Sequence, residues 1–214
     1  SPVLLLLGVP ESGTSALADA LVRAGAVLAG PPAGDPAGVS QHALAACGMR
    51  WDSLAPMPAR LGKAPGLDAA RAAIDVFLER MPSDAPLVVA EPLATRIVAM
   101  WRERAEAAER PFSTVLWLTH PGSAAAALAR RRQFAPEKSL ALWLAHLVEF
   151  EQATRGTART VVTEETFLAD PAAGFKRLLF GRPEQWRSCP ARADVVRASD
   201  GRGWRSGCRP EAEQ

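Results

Sequence analysis

Cysteine is scarce in this chain. Its 214 residues hold three, Cys47, Cys189 and Cys208, too few and too scattered for a disulfide framework and none at the spacing of a zinc motif. A reducing, cytoplasmic setting fits that usage, with room for one bridge between Cys189 and Cys208. Histidine is as sparse, with His42, His120 and His146 as the three copies, and no metal is expected. Neither sign of charge dominates: 25 Lys and Arg face 23 Asp and Glu, a formal net charge of +2, and the isoelectric point is near 8.6. No strong global field therefore favours nucleic acid or an anionic membrane, and any basic site must be local. The apolar run Val3–Leu7 is far too short to span a bilayer and lacks the basic flank of a signal peptide. There is no internal repeat.

What the chain does have is apolar content. At 48% hydrophobic and 22% charged residues it can bury one sizeable core, and a single domain is expected. Val3–Leu7, ending at Gly8, has the pattern of a strand covered on both faces. Further strands are expected at Leu87–Ala90, Thr114–Leu118 and Arg159–Val162. Helical spacing runs from Gly13 to about Gly25, around Ser40–Cys47, over Leu67–Met81, over about Ala94–Glu109, from Gly122 into Arg130, Arg131 and Arg132, and from Pro136 to about Thr154. In the last of these Leu140, Trp143, Leu144 and Leu147 form the expected core face. A final helix spans Glu164 to Phe180 with a break at Asp170-Pro171. Gly30–Gly38, with Pro31, Pro32 and Pro36, reads as an exposed loop able to cover a site. Residues 1–180 thus form one domain, and 181–214 an irregular basic C-terminal extension of it. Alternating strands and helices imply an α/β fold, a mainly parallel sheet flanked by helices on both faces, with ligands bound beyond the carboxyl ends of the strands. That rule points to Gly8–Ser15, Glu91 and His120.

The segment Gly8-Val9-Pro10-Glu11-Ser12-Gly13-Thr14-Ser15 joins the first strand to the first helix. Its glycines allow a tight turn, and the unpaired first amides of the helix can cradle an anionic phosphate, with Ser12, Thr14 and Ser15 adding hydroxyl donors. The spacing matches a P-loop, but Thr14 stands where an ATPase or GTPase needs lysine, and no clear magnesium carboxylate follows, which disfavours a kinase-type enzyme.

Pro10-Glu11-Ser12-Gly13-Thr14-Ser15 resembles instead the phosphosulfate-binding element of the sulfotransferases. Weaker echoes of the bacterial members follow in order: Val89-Ala90-Glu91-Pro92, Leu118-Thr119-His120-Pro121, Ala127-Leu128-Ala129-Arg130, Leu142-Trp143, and Val161 to Pro171. The resemblance implies a P-loop-type fold and 3′-phosphoadenosine 5′-phosphosulfate (PAPS) as donor, held by Ser12, Gly13, Thr14, Ser15 and Arg130, with a glycan or small-molecule hydroxyl as acceptor. Three positions depart from it: Glu11 stands for the Lys or Arg that steadies the leaving group, and Thr119 and Ala127 for the Arg and Ser that grip the 3′-phosphate. A carboxylate at 11 is expected to repel the donor, leaving Arg130, Arg131 or His120 to compensate, so that Arg at 11 and 119 and Ser at 127 should raise affinity.

Glu91 is either the base that takes the acceptor's proton or a polar strand-end residue before Pro92. His120 carries the same pair of readings, catalytic or a structural or solvent role, while His42 and His146 are weaker candidates and His146 reads as a surface histidine on a helix flank. Trp51, Trp101, Trp117 and Trp143 read as core, and Trp186 and Trp204 as partly exposed. Two functions compete: an active sulfotransferase, and a sulfotransferase-fold domain that has lost its donor and serves as a binding or scaffold module. The start at Ser1-Pro2, directly ahead of a core strand, is what a piece of a larger protein would show.

Overall fold

The computed structural model describes residues 1–23, 25–30, 35–57, 66–81, 85–171, 173, 174 and 178. The extension 181–214, with Trp186, Cys189, Trp204 and Cys208, lies outside the described residues.

Five strands, β1 (Val3–Gly8), β2 (Val27–Leu28), β3 (Leu87–Ala90), β4 (Phe112–Leu118) and β5 (Arg159–Thr163), make one sheet in the order β2-β3-β1-β4-β5. Every pairing is parallel, so the expected architecture is present. Strand β1 lies at the centre with all six residues buried, as its unbroken apolar run requires. Its side chains alternate between two cores. Leu4 and Leu6 meet Leu17, Ala20 and Leu21 of α1 (Thr14–Arg23) on one face. Val3, Leu5 and Leu7 meet Ile74 and Phe77 of α3 (Leu67–Arg80), Met100 and Trp101 of α4 (Val98–Ala107) and Phe150 of α6 (Pro136–Thr154) on the other. The sequence pattern missed β2, whose two residues are too short to show a period.

Several boundaries differ from expectation for local reasons. Helix α2 (Pro36–Ala46) begins inside the proline-rich stretch, because Asp35 accepts from the amide of Ala37 and Pro36 occupies the first helical position. The segment after β3 starts as a 3-10 turn, Pro92–Ile97, before becoming α4. Helix α7 (Glu164–Ala169), by contrast, stops at Asp170 at the expected break, and the Asp170 carboxylate accepts from Ala173. The buried face of α6 is rotated from the expected one. Leu140 and Leu144 are exposed at 44% and 55%, whereas Leu142, His146 and Phe150 are buried. Buried Ser139 and Thr154 give their hydroxyls to the carbonyls of Ala135 and Phe150, so polar residues share the inner face and apolar spacing alone selects the wrong one. His146 is therefore no surface residue. Burial, with the nearby Arg96 charge, pushes its imidazole down to about 3 and keeps it neutral.

The chain leaves β1 through α1 toward β2 on one side of the sheet, and leaves β4 through α5 (Pro121–Arg132) and α6 toward β5 on the other. These opposite exits open a crevice beyond Gly8 and Leu118, where open α/β sheets bind ligands.

Candidate anion site at the end of the sheet

The loop between β1 and α1 is bent by two residues in the left-handed region, Glu11 (φ 67°) and Gly13 (φ 80°). The Ser12 amide donates to the Val9 carbonyl at 3.1 Å. The Ser12 carbonyl turns inward and accepts from the Trp117 indole Nε1 at 2.9 Å and from the Thr119 hydroxyl at 3.2 Å. Because the peptide is planar and trans, the Gly13 N–H on the same unit points the opposite way, away from Trp117 and Thr119. A Cβ on Gly13 would meet nothing within 4 Å among the described residues, but its φ of 80° is one that side chains rarely adopt. The amides of Thr14 and Ser15 follow in the first helical turn, where no intrahelical acceptor exists. Gly8 lies beneath the loop: a Cβ there would come within 2.7 Å of Thr14 Cγ2 and 2.8 Å of Ser12 Oγ. Ser12 is 6% exposed, and its buried hydroxyl has no hydrogen-bond partner among the described residues.

Glu11 does not stand alone against an incoming anion. Its Oε2 accepts from Arg131 Nη1 at 3.0 Å, and its Oε1 from Arg132 Nε at 3.0 Å and Nη2 at 2.7 Å. The isolated charge assumed for Glu11 is thereby corrected: the carboxylate is paired with two guanidiniums, and an arginine at 11 would face Arg131 and Arg132. The sequence could not show this, since residues 11 and 131–132 meet only when the end of α5 folds over the loop. Arg130 is exposed on the same turn, and the next two arginines are the ones that reach the loop. Thr119 is buried and spends its hydroxyl on Ser12; Ala127, partly buried on α5, has no donor side chain to offer.

On the other side of β1, Ala90 pairs with Leu6, which sets Glu91 level with Leu7 at the carboxyl edge. Glu91 is 6% exposed, and its Oε1 accepts from the Leu93 amide at 2.8 Å, capping the 3-10 turn. Burial pushes its carboxyl up to about 7; the Leu93 amide opposes this, and the charge of Asp35 adds to it. His120 is exposed, and its Nδ1 accepts from the Gly122 amide at 3.1 Å as the cap of α5. The fold thus brings Ser12, Gly13, Thr14 and Ser15 together and sets Glu91 and His120 at the ends of the flanking strands. Trp101 and Trp117 are core, but Trp51 and Trp143 are only partly buried beside the loop. The indole of Trp117 as support for Ser12 had no sequence signal beyond its place in an apolar strand.

Solved structures similar in fold to this chain include sulfotransferases. A sulfotransferase domain from the olefin synthase of Synechococcus PCC 7002 superposes with a TM-score of 0.56 at 16% identity over 87% of this chain and 76% of that one. A sulfotransferase domain from the curacin biosynthetic pathway gives 0.53 at 13% identity, over 86% and 76%. The sulfotransferase of Alicyclobacillus acidocaldarius gives 0.50 at 15%, over 85% and 80%. No protein-family model matches the sequence, and no curated protein matches it. The chain has the sulfotransferase fold. Among the described residues no helix is long and apolar enough to cross a membrane.

Proposed function

We propose that this domain transfers a sulfuryl group from PAPS to a hydroxyl of a glycan or small metabolite, with Glu91 as general base. The observation that carries the reading is the buried Glu91 carboxyl at the edge of β3, lifted to about 7, where a group can take a proton near neutral pH. Its Oε1 is tied to Leu93, so Oε2 is the oxygen that would take the acceptor's proton. The fit to the donor is best at its phosphosulfate end. The first-turn amides of Thr14 and Ser15 and the Ser12 hydroxyl, which has no partner among the described residues, suit a tetrahedral anion. When bound, PAPS supplies an activated sulfuryl group on a phosphate leaving group. Ser12, Gly13, Thr14 and Ser15 hold that end and offer donors as negative charge grows on the bridging oxygen. Proton removal by Glu91 readies the acceptor hydroxyl. The two neighbours named as domains, one from an olefin synthase and one from a biosynthetic pathway, favour a place within a larger assembly.

One observation favours the alternative, a binding module without turnover: Thr119 spends its hydroxyl on Ser12 and Ala127 brings no donor, so the 3′-phosphate has lost two expected partners. Calorimetry with adenosine 3′,5′-bisphosphate separates the two. Saturable binding, with PAPS turnover that Glu91→Gln lowers by roughly 10²–10⁴-fold at unchanged nucleotide affinity, supports transfer. Binding without turnover across an acceptor panel supports the module, and absence of binding removes PAPS from both.

A further inference from the structure

We infer that Glu11 is a positioning residue that holds Arg131 and Arg132 at the loop mouth, and that this pair recruits the sulfate or phosphate ester bound there. The inference deepens the proposed function and rests on it for the identity of the ester. One carboxylate between two guanidiniums leaves one net positive charge beside the loop, carried on α5 instead of in the loop itself. Glu11 is 14% exposed, whereas Arg131 and Arg132 are 61% and 50% exposed, so the carboxylate lies beneath and the cations face solvent. Each guanidinium has five N–H donors in a fork. Arg131 spends Nη1 on Glu11, and Arg132 spends Nε and Nη2. The remaining donors can meet an anion in the geometry that suits a tetrahedral oxyanion.

The placement of Arg132 is fixed from a second side. Its Cζ lies 5.3 Å from the centre of the Trp51 ring. Trp51 stacks on Phe134 at 5.7 Å with planes 27° apart, and Lys138 Nζ sits 3.9 Å over Phe134 while pairing with Asp52 at 2.7 Å. A long, flexible cation held between a carboxylate and an indole face loses its freedom before the ligand arrives, so less is lost on binding. The left-handed backbone at Glu11, uncommon for a side chain of this kind, is the conformation in which its carboxylate meets the end of α5.

The test is calorimetry of the whole chain with two probes, inorganic pyrophosphate and adenosine 3′,5′-bisphosphate, at low and high salt, each variant checked for folding by thermal unfolding. Arg131→Gln and Arg132→Gln should each weaken both probes by about 5–10-fold, a range discounted for exposure, and the double variant should flatten the salt dependence. Glu11→Gln should weaken both probes by about 3-fold through looser guanidiniums, Glu11→Asp should recover part of that, and Trp51→Leu should act in the same direction. Tighter binding in Glu11→Gln would make the carboxylate a competitor for the arginines and overturn the inference. Arginine variants that bind as the wild type does would overturn it while leaving the proposed function standing. Arginine-dependent binding of pyrophosphate without binding of the bisphosphate would uphold the inference and remove PAPS. Wild-type protein that binds neither probe would overturn both.

Discussion

Replacing Glu91 by glutamine tests the site through stability, without any ligand. Glutamine keeps the size of the side chain and an Oε1 that can accept from Leu93, so the cap on the 3-10 turn survives. What changes is titration. The native carboxyl is lifted from 4.5 to about 7 by burial, so between those values the native chain holds a proton that the unfolded chain has released. Native stability contributed by this group is therefore intact below about pH 4.5, falls as pH rises, and levels off once the native carboxyl has ionised. The lift corresponds to about 3 kcal/mol at 1.36 kcal/mol per tenfold change in proton affinity. Glu91→Gln should thus match the wild type near pH 4 and exceed it by about 3 kcal/mol at pH 8, a rise in Tm of roughly 6–12 °C for a chain of this size. Urea unfolding of both proteins across pH 4–8 isolates the effect, because titrating groups not coupled to Glu91 cancel in the difference. A flat difference, or a wild type that gains on the variant as pH rises, would mean that Glu91 is an ordinary ionised carboxylate. The reading of it as a base poised near neutrality would then have no support.

Two further outcomes follow from packing and from charge. Gly8→Ala should cost about 1–3 kcal/mol and weaken pyrophosphate binding, because the new methyl would lie 2.7 Å from Thr14 Cγ2, 2.8 Å from Ser12 Oγ and 3.3 Å from the Trp117 carbonyl oxygen; unaltered stability and binding would show that the loop gives way freely. Arg96→Met should destabilise by about 3–5 kcal/mol, since it strands Glu149, 3.0 Å away and 11% exposed, and a second change, Glu149→Leu, should recover most of the loss in urea unfolding; a double variant no better than the single one would locate the cost elsewhere, as in the Arg96 bond to the Ser53 carbonyl.

By itself the sequence determined four of the five strands and the loop. Val3–Leu7 is apolar at every position, so it had to be covered on both faces, and a strand of that kind followed by a glycine-bounded turn and an amphipathic helix can form only the opening unit of a parallel sheet. Those signals are local, carried by neighbours along the chain. Tertiary structure decided what the chain brings together from a distance. The inner face of α6 was set by the elements packed on it, which buried His146 and left Leu144 in solvent, against its apolar spacing. Glu91 was legible as a candidate at a strand end, but its lift to about 7 comes from burial, which no linear spacing encodes. Glu11 is the sharpest case. In the chain it is a lone carboxylate where a cation is expected, and its charge argues against an anion site. In the fold it is bound by two arginines some 120 residues later, a pairing no local pattern shows because electrostatics depends on distance through space, not along the chain.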